Sequence, residues 1–476
     1  MAGQFRSTKP IAILRADSEL PQFRLERRLG LWPLIAVGVG TIIGAGIYFR
    51  AGIAAAYSHP PAGPSIIVSL ALLCVICLCM GACYAELASL MPLAGSVYTY
   101  SYAALGELAA WVTGWILMLE YGLANVAVAA AFSEQLRARL ADFHILIPDR
   151  WSLPAWSEGK LSGSYFNVPA FVVLMAITLV LSFGVRAFSR ANLLMVALKV
   201  GAIFLFVTVG SAFVQPQNFH PFAPGGTHGI LYAGFILFFA YLGFDSVTIA
   251  AEEARHPERD VPRAILGSVV VAGILYIAVA VVLMGMVPYA TFSPGSAAAK
   301  APAEYALKHF GEKAAALGIV FAGVMAGMVS TLFVFQYAQT RLWYAMSRDG
   351  LLPEVFSLVH PKTRIPHWCT WIGGTAVALC AGLVDLGAAA DLIACGALAA
   401  FALVPICVVC LRKTHPELSR PFKVPWMPWL ALACLVPTAV MMASLSWTIW
   451  VRFFIWLLIG LAIYLAYGRR HSKLVP

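Results

Sequence analysis

Gly38-Val39-Gly40-Thr41-Ile42-Ile43-Gly44-Ala45-Gly46-Ile47 stands in the middle of an apolar stretch that runs from Leu31 to Tyr57. Glycine weakens a helix and exposes its backbone. Inside a bilayer, interrupted helix is tolerated only where the freed N–H and C=O groups are buried in protein or line a cavity. The run therefore predicts a broken membrane helix and a candidate binding site. Its Gly40-x-x-x-Gly44 spacing also suits close packing of two helices, and taken alone the run supports both readings.

The rest of the chain agrees with a membrane setting: 61% of its residues are apolar and 11% charged. Apolar stretches of about 20 residues recur, each long enough to cross a bilayer. They predict twelve spans, at 31–57, 64–90, 101–135, 167–184, 191–213, 228–252, 264–288, 314–345, 368–386, 390–411, 426–447 and 452–467. The expected fold is an all-α integral membrane protein. An even number of spans puts both termini on one side, and lysine and arginine indicate which. With cytoplasmic ends, 22 of the 32 basic residues fall inside and nine outside, Arg50 among them; the last, Lys199, lies within a span. The net charge of +10 is then a topology signal that needs no nucleic-acid partner. Arg469, Arg470 and Lys473 are placed to meet anionic lipid. The first 30 residues lack the apolar core of a cleaved leader.

The ten cysteines fall in or beside spans. Cys74-Val-Ile-Cys77 and Cys407-Val-Val-Cys410 have redox or metal spacing but sit in uninterrupted apolar helices without histidine, so they read as small apolar residues. No metal or cofactor is expected. The polar interruptions at 136–166 and 289–313 read as loops too short to hold a core, so no separate soluble domain is visible.

A second break comes five spans after the first, at Phe238-Phe239-Ala240-Tyr241-Leu242-Gly243-Phe244-Asp245-Ser246. Two breaks five apart suggest an inverted repeat with both breaks near the midplane. The chain then divides into an N-terminal segment 1–30, repeats 31–213 and 228–411, added spans in 426–467 and a tail 468–476. The matched break shifts the balance from packing to binding. A broken helix offers uncapped N–H groups with the positive dipole end to a carboxylate, and carbonyls to an ammonium group. A zwitterionic α-amino acid presents both charges. Ile43, Gly44, Ala45 and Gly46 are expected to hold its carboxylate, and carbonyls around Phe239, Ala240 and Leu242 its amine. Asp245 either joins the amine site or caps the second half of its helix.

Four segments then carry a resemblance: Gly40–Ile47, Gly243–Pro262, Arg341–Gly350 and Arg420–Pro425. In this order they resemble the amino acid–polyamine–organocation superfamily, and within it the bacterial members of the cationic amino acid transporter family. The resemblance covers about residues 30–465. It implies a leucine-transporter-type 5+5 inverted repeat with broken helices 1 and 6, and secondary active uptake of neutral or cationic amino acids across the inner (plasma) membrane. Bacterial members are commonly proton-driven; exchange without net proton coupling is the alternative.

Lys199 lies in Ala191-Asn-Leu-Leu-Met-Val-Ala-Leu-Lys-Val200, about 12 Å along span 5 by helical rise. A lysine here either snorkels to the interface or, desolvated, binds a proton reversibly. The resemblance implies the second role, with contacts to span 1 near Gly38–Thr41 and to Ser330 or Thr331 of span 8. Glu120 in span 3 is the other deep charge; it tunes the pocket, accepts a proton or bonds neighbouring helices. Glu86, near the end of span 2, is expected at the interface. The cluster Glu252, Glu253, Arg255, His256, Glu258, Arg259 and Asp260 suits an ion-pair gate better than a dication site. His360, His367 and His415 read as solvated loop residues.

No P-loop, Gly-x-Ser-x-Gly or His-Glu-x-x-His is present, so an ATP-driven pump and the common hydrolases lack support, and no enzyme is expected. A channel would need a persistent pore, and an intramembrane enzyme a catalytic cluster. A tight wall of Met325, Met328 or Phe239 would favour small neutral substrates, whereas Glu120 and Asp245 leave cationic ones open.

Overall fold

The computed structural model describes residues 8–44, 46–157, 160–293, 296, 298, 302–309, 314–384 and 390–474. Helix dominates, because backbone that cannot reach water must satisfy its polar groups within the segment. Among the described residues the only paired strands are Trp156–Ser157 and Lys160–Leu161, in a polar connection. Eight helices are long and apolar enough to cross a membrane, with shorter apolar ones between them. The protein is an all-α, multi-span membrane protein.

Span 1 is two helices, Leu31–Ile42 and Gly46–Tyr57. Span 6 is Gly226–Phe238 and Ser246–Ile249, separated by a single tight turn, Phe239–Tyr241, and extended backbone at Leu242. Spans 2, 3, 4 and 5 are Ile66–Leu90, Glu107–Asp142, Val168–Ser182 and Val185–Ser211. Spans 7, 8, 9 and 10 are Pro257–Met286, Ala314–Arg348, His367–Leu383 and Ala390–Thr414. Spans 11 and 12 start at Trp429 and Trp447.

Several boundaries differ from the sequence expectation, for identifiable reasons. Span 3 begins at Glu107, not 101: Gly106, at φ 102°, separates it from a short helix Val97–Ala104, a break that apolar composition hides. The same span runs on to Asp142, and helix Pro302–His309 occupies part of the second expected loop. Span 5 starts at Val185 after Gly184, at φ 103°, because Arg186 and Arg190 are compatible with its solvated first turns. Lys199 is therefore about 21 Å along the helix, deeper than its sequence neighbours suggested.

Span 7 packs along span 2 and the first half of span 1; span 8 packs on spans 3 and 5; span 9 on span 4; and span 10 on span 3. Apolar side chains point outward as well as inward: Leu194, Phe204, Leu231, Ile274 and Leu458 are all more than half exposed. Facing lipid, they need no cover. The polar groups are turned inward instead, which is where the spans meet.

The first and last described segments lie at one end. Helix Ile11–Glu19 crosses it, with Lys9 bonded to Asp17 (2.6 Å) and Asp349 (2.7 Å), while Lys473 donates its N–H to the Asp349 carbonyl (3.2 Å). Residues 20–30 continue as a strap. Tyr344 donates to the Phe23 carbonyl, and Leu29 pairs with the chain after span 6 through Leu29 N–H to Glu253 O (3.0 Å) and Arg255 N–H to Leu29 O (2.8 Å).

Candidate functional site

The two breaks meet. Gly243, at φ +107°, takes a conformation that L side chains rarely adopt, and a Cβ there would stand 2.6 Å from the Cβ of Thr41. Thr41 Oγ1 in turn lies 2.8 Å from the Gly243 carbonyl and 3.1 Å from Ser246 Oγ. Tyr276 of span 7 closes the junction: its hydroxyl is 2.5 Å from the Ile42 carbonyl and 2.9 Å from the Ala240 carbonyl, sharing one proton between the broken ends of spans 1 and 6. These contacts add donors to carbonyls at the interrupted helix ends, where the regular ladder stops.

Lys199 completes this arrangement from span 5. Its ammonium donates to the Gly40 and Ile43 carbonyls, both at 2.8 Å, and approaches Ser330 Oγ at 3.4 Å. Three donors thus meet three acceptors. The residue is fully buried, so its side chain does not snorkel to an interface. No carboxylate pairs with it among the described residues; the charge is met by the negative, C-terminal end of the first half of span 1. Thr331 Oγ1 lies 3.1 Å from the same Gly40 carbonyl, and Asn192 orients Ser330 (2.9 Å) while donating to the Ala36 carbonyl (3.0 Å). Close approach is required here: a Cβ on Gly40 would reach within 2.8 Å of Ser330 Oγ, and one on Gly44 within 2.8 Å of Thr331 Oγ1.

The other candidate residues have definite places. Ile43 donates its N–H to the Val39 carbonyl (3.1 Å) and Gly44 to that of Ile42 (2.9 Å). Gly46 opens the second half of span 1, and Ala45 lies outside the described residues. The Phe239 carbonyl accepts the Leu242 N–H (3.4 Å). Asp245 stands at the N-cap of the second half of span 6 without a side-chain cap bond; its Oδ2 accepts the Tyr121 hydroxyl (2.8 Å). Glu120, next to Tyr121 and fully buried, and Asp245 each leave one carboxyl oxygen without a hydrogen bond among the described residues. Met328 is buried in span 8, and Met325 is half-buried.

Each end of the site is closed by cations. Away from the termini, the Arg50 guanidinium lies 4.8 Å from the centroid of the Phe239 ring, in a cavity of about 370 Å³ that Asp391 also lines. At the termini end, Arg341 bonds Glu253 (2.9 Å) and stacks on Tyr337 (4.0 Å), whose hydroxyl bonds the other Glu253 oxygen (2.5 Å). Arg348 pairs with Glu252 (3.0 Å), which also accepts the Ala94 N–H (2.8 Å). Of the expected ion-pair cluster, then, Glu252 and Glu253 find partners on span 8, while Arg255, His256, Glu258 and Arg259 face a different cavity. Glu86 departs from its expected interface exposure: it is buried, held by Arg412 (2.5 Å), Arg420 (3.4 Å) and the Val424 N–H (2.7 Å). His360 and His367 are not isolated either; their rings are 5.6 Å apart. All ten cysteines are free.

Comparison with known proteins matches residues 29–464 to the amino acid permease family. The chain belongs to the amino acid permease family. It is similar to a methylthioribose transporter of Bacillus subtilis (40% identical, all of both chains) and to a branched-chain amino acid permease of the same organism (41%, 94% of this chain and 95% of that one). A chloroplastic cationic amino acid transporter of Arabidopsis thaliana is 35% identical over 87% of this chain and 71% of its own. The relatives are transporters, and this permease is a membrane transporter.

Three residues of the permease's site escaped the sequence reading. Tyr276 gives no local signal, since a tyrosine in an apolar span is ordinary. Asn192, a polar residue in the same segment as Lys199, and Arg50, a charge one turn beyond the glycine run, were visible as anomalies that spacing alone could not connect to the breaks.

Proposed function

We propose that this permease is a secondary active transporter carrying a neutral, apolar L-amino acid with a proton across the plasma membrane, both termini being cytoplasmic. Transport proceeds by alternating access between spans 1–5 and 6–10. The observation that carries the reading is the Lys199 ammonium on the Gly40 and Ile43 carbonyls at the break of span 1. Protonated, the lysine bonds both carbonyls and Ser330, tying span 1 to spans 5 and 8. Deprotonated, it loses its charge and one donor, and the hold on span 1 weakens. Proton occupancy and the position of span 1 are thereby linked.

The amino acid carboxylate meets the N-terminal end of the second half of span 1, from Gly46 onward. Its ammonium meets carbonyls at the span 6 break, chiefly those of Phe239 and Leu242, since Tyr276 engages that of Ala240. Phe239 lines the cavity beside Arg50, and Phe244, Phe335 and Met328 belong to the apolar core, which supports a neutral side chain, in keeping with the branched-chain substrates that one relative's name records. The packing of spans 2 on 7, 3 on 8 and 4 on 9 supports the two repeats, and the basic residues around the termini support a cytoplasmic end.

Reconstituted liposomes with an imposed inward proton gradient test the coupling. Wild type should accumulate substrate against its gradient, whereas Lys199→Arg, which stays charged, and Lys199→Ala, which carries none, should not. Equal accumulation by all three would remove proton coupling through Lys199, and uptake that required only internal counter-substrate would identify an exchanger. A thermal-shift screen over the amino acids and methylthioribose tests the substrate; stabilisation by arginine, lysine or methylthioribose rather than by leucine, isoleucine or valine would overturn that part of the reading.

A further inference from the structure

At the termini end, beside the closing ion pairs, the N-terminal helix, the turn after span 2 and the start of span 7 border an open cleft of about 530 Å³. Four guanidinium groups converge on it, from Arg15, Arg27, Arg255 and Arg259, against the two carboxylates of Glu19 and Glu258. Glu19 is already engaged by Arg27 (2.5 Å), and Arg15 uses one of its nitrogens on the Leu90 carbonyl (2.6 Å). Arg255 and Arg259 make no side-chain hydrogen bond or ion pair among the described residues. The 30-residue helix of span 7 begins at this wall, directing its positive dipole end to the same space. The excess cationic charge is therefore local: four exposed arginines stand around one open cleft.

We propose that this cavity binds a phosphate group, with Arg255 and Arg259 as its principal ligands and Arg15 as the third. Guanidinium forks match the geometry of phosphate oxygens, and several forks around one volume suit an anion with more than one acceptor oxygen. Two sources present this group: an anionic phospholipid headgroup and a soluble phosphate. The surroundings favour the lipid. Ile13 and Leu20, on or just after the N-terminal helix that forms one wall, are 48% and 42% exposed, while Leu14 is buried against the protein. A short helix with apolar side chains turned outward beside arginines lies naturally at a headgroup layer. Because the same helix leads into the strap bonded to Glu253, a phosphate held here pins the strap to span 7 and favours the closed state of this end.

The full-length protein in detergent, titrated with phosphatidylglycerol against phosphatidylcholine and with sodium phosphate against sodium chloride at matched ionic strength, tests the site by thermal shift. Phosphatidylglycerol should stabilise wild type over phosphatidylcholine, and R255Q/R259Q should weaken that binding about tenfold or more, the loss of charge-assisted hydrogen bonds. R186Q/R190Q, which removes the same charge from the first turns of span 5, should bind as wild type does. Stabilisation by inorganic phosphate that the same R255Q/R259Q change removes would assign the site to a soluble phosphate. The charge-keeping R255K/R259K gives an independent test: ammonium groups lack the fork, so binding should still weaken several-fold. No stabilisation by either phosphate probe, an equal loss in R186Q/R190Q, or unchanged binding in R255K/R259K would overturn the proposal.

Discussion

Gly243 and Gly44 show how little room separates the two breaks. Alanine at Gly243 meets Thr41 at 2.6 Å from an unfavourable φ of +107°, so Gly243→Ala should cost about 2–3 kcal/mol and lower the melting temperature. Gly44→Val drives a branched side chain into Thr331 and should abolish substrate-induced thermal stabilisation while the protein still inserts. Wild-type stabilisation in Gly44→Val would dissociate the span 1 break from binding. Tyr276→Phe removes the one proton that joins Ile42 to Ala240, leaving the Ile42 carbonyl only the Gly44 N–H and taking the tyrosine donor from that of Ala240, a loss of about 1–3 kcal/mol. Transport should fall more than folding does, because the lost bond bridges the moving ends; a variant with unaltered uptake would make Tyr276 a packing residue.

Among the elements, the N-terminal strap is the one whose attachment depends on pH. Burial alone pushes the Lys9 ammonium down, but Asp349 and Asp17 outweigh it and hold the group above its ordinary value. A raised lysine contributes stability that is complete below the unfolded value of about 10.4 and disappears as pH rises through the folded one. Lys9→Met should therefore destabilise by roughly 3 kcal/mol, equally at pH 6 and pH 9, with the difference from wild type closing only in strong alkali. A difference that closed between pH 6 and pH 9 would mean that another group controls the strap. The Glu253–Arg341 pair is the matching device on spans 6 and 8. Arg341→Gln leaves a buried carboxylate with only its tyrosine, and cysteine probes placed beneath the pair should become more reactive from the termini side.

At the scale of the molecule, the topology is directly testable. In a cysteine-free background, single cysteines at 258 and 415 should be labelled from the cytoplasm and those at 150 and 217 from outside. All four reversed would overturn the charge-based orientation, and 150 and 217 appearing on opposite sides would break the even count of spans between them. The same scale explains why the structure carries so many buried polar groups without instability. Lipid accepts the apolar outer faces, so the interior is free to hold Lys199, Asp245, Glu252 and Glu253, each where another span or a broken helix end supplies a compensating dipole, hydrogen bond or charge.

The sequence by itself determined the membrane class, the helices and the positions of both breaks, because hydropathy over some 20 residues and glycine's effect on backbone are local properties. Lys199 and Glu120 were legible for the same reason: a charge deep in an apolar run is anomalous without any knowledge of its neighbours. Boundaries at Gly106 and Gly184 were hidden, since a positive φ is invisible in composition. Only the tertiary structure decided what each anomaly touches. Tyr276 joins residues 42 and 240, Glu86 is held by Arg412 and Arg420, and Arg255 faces the N-terminal helix instead of its sequence neighbour Glu253. Such partners are separated by tens to hundreds of residues, and periodicity carries no information about which faces of which helices meet; packing alone selects them.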